Sequence, residues 1–150
     1  FVLNEKGLVL DWYENELKAK TQLSTLKTLN AMSSVLCSMY ARNNNLDDAI
    51  LFNTDYCPIE TSCSNLFIVS DNNIFTSQVQ DGCVEGTMRS LILSILDVKE
   101  ITLSKRLILN AEECFLTNAL GIRWVSRINN REFLKHNYAT DLIKKINYLI

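Results

Sequence analysis

Four short stretches of this chain gather residue types that could do chemistry: Leu26-Lys-Thr-Leu-Asn30, Glu60-Thr-Ser-Cys-Ser-Asn65, Glu85-Gly-Thr-Met-Arg89 and Thr117-Asn-Ala-Leu120. Each mixes small and polar residues between apolar runs. A lysine amine such as that of Lys27 can attack a carbonyl or move a proton. A carboxylate such as Glu60 can hold a cation through a charge-assisted hydrogen bond. Gly86 ahead of a periodic apolar segment offers free backbone N–H groups at a helix start, which suits an anion. Asn118, after an apolar run, can reach a ligand or satisfy its own backbone. Taken singly, each stretch has a plain structural reading: a solvated lysine, a turn carboxylate, a glycine that admits a helix, an asparagine in a turn.

The elements that must position these residues follow from periodicity. Gly7-Leu-Val-Leu-Asp-Trp-Tyr13 reads as a strand. Asn30 to Arg42 is a helix with Met32, Val35, Leu36 and Met39 on one apolar face. Ala49–Phe52 is a short strand, Thr54–Pro58 a turn, and Asn65–Ser70 a strand closed by Asp71-Asn-Asn73 into Ile74–Thr76. Gly86 opens a second helix with Met88, Leu91, Ile92, Ile95 and Leu96 on one side. Glu100–Leu103 is a strand, and Asn110 with Glu113 resembles a capping box over a very short helix. Cys114–Thr117 and Ile122–Ile128 are strands, Asn129-Asn130 a turn, and Tyr138–Ile150 a helix striped by Leu142, Ile146 and Leu149. Clustered strands with separate helices point to an α+β layer or barrel and one domain, not a doubly wound sheet.

Composition narrows the function classes. The 150 residues are 47% hydrophobic and 21% charged with a formal net charge of -2, so no basic footprint for nucleic acid is expected. The longest apolar runs, such as Leu91 to Leu96 with Ser94 inside it, are too short to span a bilayer. The five cysteines, at 37, 57, 63, 83 and 114, contain no C-x-x-C pair, and His136 is the single histidine, which leaves a zinc site without support. An odd count suits free thiols in a reducing, cytoplasmic setting better than a disulfide framework. His136 reads as solvated, and Trp12 and Trp124 as packing anchors. Cys63 lies within the Glu60 to Asn65 turn and takes no assigned role. The chain opens at Phe1 with no signal peptide, and its first strand reads as entered in mid-fold, so it is expected to begin inside a longer protein.

Read together, the four stretches resemble the class IV aminotransferase family in order and spacing, from about Leu26 to Ile128. The resemblance strings together Lys27-Thr-Leu-Asn30, Glu60 with Ser64-Asn65-Leu66-Phe67, Thr76, Gly86-x-x-Arg89 and Asn118. It implies the larger, C-terminal domain of the fold type IV enzymes, a barrel-like mixed sheet with flanking helices, from residue 26 to 150. Residues 1–25 would then be the end of an N-terminal region and an entry strand, and the small N-terminal domain would be missing. The implied cofactor is pyridoxal 5'-phosphate (PLP). By resemblance Lys27 bonds its aldehyde and moves the substrate proton, and Glu60 faces the ring nitrogen. The backbone of Gly86, Thr87 and Met88, with Asn118, would hold the phosphate. Arg89 reads equally as a phosphate contact or as a structural ion pair.

Within the family two features favour the aminodeoxychorismate lyases over the aminotransferases: Met88 where aminotransferases prefer Thr, and Thr117-Asn-Ala-Leu120. Thr87 in place of the usual Ile and Ser77 in place of a Pro are departures. The resemblance thus implies a lyase converting 4-amino-4-deoxychorismate to p-aminobenzoate and pyruvate in folate synthesis. Transamination of D- or branched-chain amino acids is the alternative, and a non-catalytic remnant of the fold a second one. A homodimer acting on a small molecule is implied, and the 150 residues alone are expected to keep the fold without useful turnover.

Overall fold

The computed structural model describes residues 1–149. Its sheet is built from nine strands, and the order in which they pair explains why the central ones are apolar throughout. The first strand, β1 (Leu8–Lys18), runs parallel to both β2 (Asp48–Asn53) and β8 (Gly121–Ile128). β2 pairs antiparallel with β3 (Pro58–Thr61), and β4 (Asn65–Ser70) pairs antiparallel with β5 (Asn73–Ser77) and β7 (Glu113–Asn118). β7 returns to β8. β3 also meets β4 at Glu60↔Asn65, so the path β3-β2-β1-β8-β7-β4 closes on itself as a barrel. β6 (Val98–Ile101) extends the sheet beyond β5, and the short β9 (Arg131–Glu132) pairs with β8.

Three apolar clusters follow. Leu10, Ile50, Phe52, Leu66, Leu116 and Val125 come from five ring strands and fill the barrel interior, with Phe133 beside them. On the outer face, Phe67 and Phe115 stack with centroids 5.1 Å apart. They are covered by α2 (Thr87–Ile95) through Met88 and Ile92 and by α4 (Asn137–Leu149) through Leu142, Ile143 and Ile146. The third cluster joins Tyr13, Ala49, Leu51 and Ile59 to Cys37 and Ala41 of α1 (Met32–Asn43). β4 is buried on both faces because one side looks into the barrel and the other under α2, which is why it lacks polar alternation. The barrel-like α+β architecture with flanking helices is the one the sequence suggested.

Several local expectations need correction. The face of α1 that packs is Cys37 and Ala41 with Leu36 and Tyr40, small residues that let the helix sit close on β2. The apolar positions Met32, Val35 and Met39 are 64%, 50% and 53% exposed, so periodicity located a stripe but not the buried one. Glu60 and Thr61 lie on β3, not in a turn. The expected strand at Glu100–Leu103 is β6, displaced toward the N-terminus.

The Asn110–Glu113 capping box does not form. Asn110 ends α3 (Lys105–Asn110), whose N-cap is Ser104, accepting from the Leu107 N–H. Glu113 instead caps α4 from a distance, accepting from the N–H groups of Tyr138 and Ala139 at 3.0 and 2.8 Å. A buried carboxylate at a helix N-terminus satisfies orphan donors that no local residue reaches. Leu149 is exposed, unlike Leu142 and Ile146, and Ile150 lies outside the described residues. His136 is half-buried, with its ring 4.8 Å from Trp124, rather than solvated. Both tryptophans pack as anticipated, Trp12 edge-on to Phe52. No described helix is long and apolar enough to cross a membrane.

Candidate active site

The sheet closure brings the first three stretches to the outer face between α1 and α2. Glu60 lies on β3 opposite Leu51 and Asn65, and its carboxylate is almost wholly buried. Oε1 accepts from the Lys18 ammonium at 2.5 Å, and Oε2 accepts from the Val84 backbone N–H at 2.8 Å. Burial pushes its pKa above the ordinary carboxylate value. The Lys18 charge and hydrogen bond, the Val84 N–H and the Lys27 charge all act against that rise. Lys27 therefore sits within electrostatic reach of Glu60, though 33 positions away in the sequence.

Lys27 itself is exposed, in the segment between a 3-10 turn (Gln22–Thr25) and α1. That segment is held at both ends. Upstream, the Ser24 carbonyl accepts from Lys18 at 2.9 Å and the Thr25 carbonyl accepts from the Glu85 N–H at 2.9 Å. Downstream, the Ala31 N–H bonds the Leu29 carbonyl and the Asn30 N–H reaches Thr28 Oγ1. The loop that bears the lysine is thus tied to the loop that enters α2.

The start of α2 is shaped from below. Asn65 donates from Nδ2 to the Val84 carbonyl at 2.7 Å. The Val84 peptide is therefore gripped on both sides, by Glu60 at its N–H and Asn65 at its carbonyl. Gly86 is the N-cap, and a Cβ there would be driven into Asn65 Oδ1. The N–H groups of Thr87 and Met88 open the helix and have no acceptor within it. Thr117, opposite Asn65 on β7, is 1% exposed, and its Oγ1 has no hydrogen-bond partner among the described residues. An orphaned hydroxyl beside a glycine-capped helix start is polar capacity that packing alone does not use.

Two expected residues are engaged elsewhere. Asn118 donates to Ser64 Oγ at 3.0 Å and to the Cys63 carbonyl at 3.3 Å, while its Oδ1 accepts from the Leu120 N–H. Arg89, 2% exposed, pairs with Glu100 at 2.5 Å and donates to the Ser77 carbonyl at 2.9 Å. Its structural reading is thus the one its contacts fit, although Nε is left without a partner. Cys63 is exposed beside Asp48 and Ser64. Sequence reasoning missed Lys18, and it marked the Thr117 stretch without giving the Thr117 hydroxyl a role. Lys18 sits in a mixed-charge run that reads as solvent-facing, and only the length of β1, which registers Lys18 against Asn53, could have pointed to it.

This geometry has relatives. The family model for amino-transferase class IV matches residues 10–128. The chain belongs to the class IV aminotransferase family. It is 31% identical to an aminodeoxychorismate lyase of Vibrio harveyi over 136 residues, 85% of this chain and 49% of that one. A putative branched-chain-amino-acid aminotransferase of Methanocaldococcus jannaschii is 27% identical over 81% of this chain and 44% of its own. The crystal structure of a putative 4-amino-4-deoxychorismate lyase from Legionella pneumophila superposes with a TM-score of 0.88 at 33% identity, covering 99% of this chain and 58% of that one. The branched-chain aminotransferase of Escherichia coli shares the fold, with a TM-score of 0.88 at 21% identity. The chain spans about half the length of these two lyases and of the Methanocaldococcus jannaschii relative.

Pyridoxal phosphate is the cofactor of this family, and the residues present suit it. Each Glu60 oxygen uses one of its lone pairs and keeps another for a ring N–H. The Gly86 cradle, the free N–H groups after it and the Thr117 hydroxyl suit a phosphate.

Proposed function

We propose that this chain forms the cofactor-binding part of a PLP-dependent lyase that converts 4-amino-4-deoxychorismate to p-aminobenzoate and pyruvate. The observation that carries the reading is Glu60. It is a buried carboxylate that feels the Lys27 charge and hydrogen-bonds the peptide leading into Gly86. Bound PLP supplies the electron sink for a carbanion at the substrate carbon bearing the amino group. The chain's residues do the rest. Lys27 provides the amine that anchors the aldehyde and then takes the proton from that carbon. Glu60 holds the ring nitrogen in its protonated form. The N–H groups of Thr87 and Met88 orient the phosphate, and Gly86 lets it come close. Loss of pyruvate from the neighbouring carbon leaves the aromatic product. Arg89 and Asn118 support this frame through Ser77, Glu100 and Ser64 in our reading.

The lyase reading is supported by Met88, by Thr117-Asn-Ala-Leu120 and by the identities of 31% and 33% to two lyases. Transamination uses the same residues and is favoured by the branched-chain relatives. A homodimer is part of the proposal for the whole protein. The uncovered Met32, Val35 and Met39 stripe of α1, next to the Lys27 loop, suits a second subunit. An assay of pyruvate release from 4-amino-4-deoxychorismate, run beside amino transfer to a keto acid, tests the proposal on the protein that carries this chain. Pyruvate without transfer supports it, and transfer without pyruvate overturns it.

A further inference from the structure

We propose that Lys18 is a positioning residue of the cofactor site: its ammonium neutralises Glu60 and ties it to the turn that carries Lys27. The inference rests on the reading of Glu60 as the partner of the ring nitrogen. Lys18 closes the far end of β1, where it registers with Asn53 of β2. Its Nζ lies 2.5 Å from Glu60 Oε1 and 2.9 Å from the Ser24 carbonyl. Both side chains are largely buried, at 15% and 5% exposure, so the pair is not a screened surface contact. The third member of the network, the Val84 N–H on Oε2, fixes the carboxylate plane. One amine therefore joins three pieces of the site: the end of β1, the carboxylate on β3, and the turn three residues before Lys27.

The charge argument gives Lys18 a task that packing does not. A carboxylate buried this deeply tends to take up a proton, and a protonated Glu60 lacks the negative charge that holds a ring nitrogen in its protonated form. Lys18 is the largest influence opposing that tendency, and Lys27 is the weakest of those acting. The other titratable groups coupled to Glu60 are the thiols of Cys37 on α1 and Cys83 before α2. Burial pushes these up to about 12 and about 11, so they remain neutral. Lys18 is held to Glu60 and the Ser24 carbonyl, so it is the fixed cation beside Glu60 whatever Lys27 would bond.

Lys18→Met, Lys18→Arg and the double variant Lys18→Met/Glu60→Gln test this in two arms. In the first, thermal unfolding without cofactor is followed from about pH 5, just above the ordinary glutamate value, to about pH 8. In Lys18→Met the folded pKa of Glu60 rises further above its unfolded value. The deficit against wild type is therefore small at the acid end and grows as pH rises. Lys18→Arg removes most of the deficit, and the double variant has no such slope. A deficit independent of pH would mean that Lys18 only packs, and would overturn the proposal.

In the second arm, PLP affinity and the pH dependence of its bound absorbance are read directly. Loss of one charge-assisted contact predicts about tenfold weaker binding and a shifted titration in Lys18→Met, with rescue by Lys18→Arg. If wild type binds PLP and Lys18→Met binds it equally well with an unshifted titration, the proposal is wrong while the cofactor reading stands. If wild type binds no PLP, the cofactor reading itself fails and the role of Lys18 toward it falls too.

Discussion

Glu60 shows how one side chain can be read partly from sequence and partly only from the fold. Its place in a Glu-x-x-x-x-Asn-Leu-Phe stretch marks it, and what it touches comes from residues 42 and 24 positions away. Glu60→Gln keeps the shape and a hydrogen bond but removes the charge that favours a protonated ring. We expect PLP to remain bound while turnover falls by a factor on the order of a hundred; near-normal turnover would sink the role. Lys27 and Gly86 were likewise legible, because each sits in a short contiguous motif. Lys18 was not, because a lysine in a charged run acquires meaning only across the sheet; the Thr117 stretch was marked, but its buried, unpartnered hydroxyl shows only in the fold. Thiol reactivity divides along the same line. Burial raises Cys37 to about 12 and Cys83 to about 11, and lifts the fully buried Cys114 as well. In native protein at neutral pH, Cys63 is expected to take up a maleimide first, and those three only on unfolding. Mass mapping after partial labelling checks the order, and early modification of Cys37 would contradict the burial described for α1.

The elements were legible where their signal is local. Asp71 and Asn72 both have positive φ, at 48° and 60°, as a two-residue hairpin requires, and the turn was evident from composition alone. α2 was legible from its apolar face, and its start from Gly86. The misreadings share a cause: periodicity identifies an apolar stripe but not which neighbour covers it. α1 packs through Cys37 and Ala41 with Leu36 and Tyr40 while Met32, Val35 and Met39 stay exposed, and Glu113 caps a helix 25 positions away rather than its own neighbour. The start of α2 gives a sharp test. At Gly86 the backbone angles suit any residue, so the demand for glycine comes from the close approach of Asn65. Gly86→Ala should cost about 1–3 kcal/mol in urea unfolding and weaken PLP binding. Asn65→Ala in the same chain should recover part of the stability but not the binding, since Val84 then loses its grip. Unchanged unfolding in the single variant would refute the close contact.

At the scale of the whole molecule, barrel and site are built by the same contacts. The barrel interior is filled by the apolar cluster around Leu10, Ile50, Phe52 and Leu66, and the candidate chemistry lies outside that cluster. That division let the family be identified from four stretches while the strand order stayed out of reach. Parallel pairing of β1 with both β2 and β8 joins segments tens of residues apart and leaves no local trace. The ring also closes at one residue pair, Glu60↔Asn65, and these two side chains grip the peptide that starts α2. A cofactor bound there would act as a staple across that seam. Hydrogen exchange at the Val84 amide should slow on adding PLP, by more than at amides of the barrel interior; equal slowing everywhere, or none, would break the link. Occupancy would then report on integrity: a chain whose seam has opened would lose both grips on Val84 and with them the cofactor, so a filled site would certify a closed barrel.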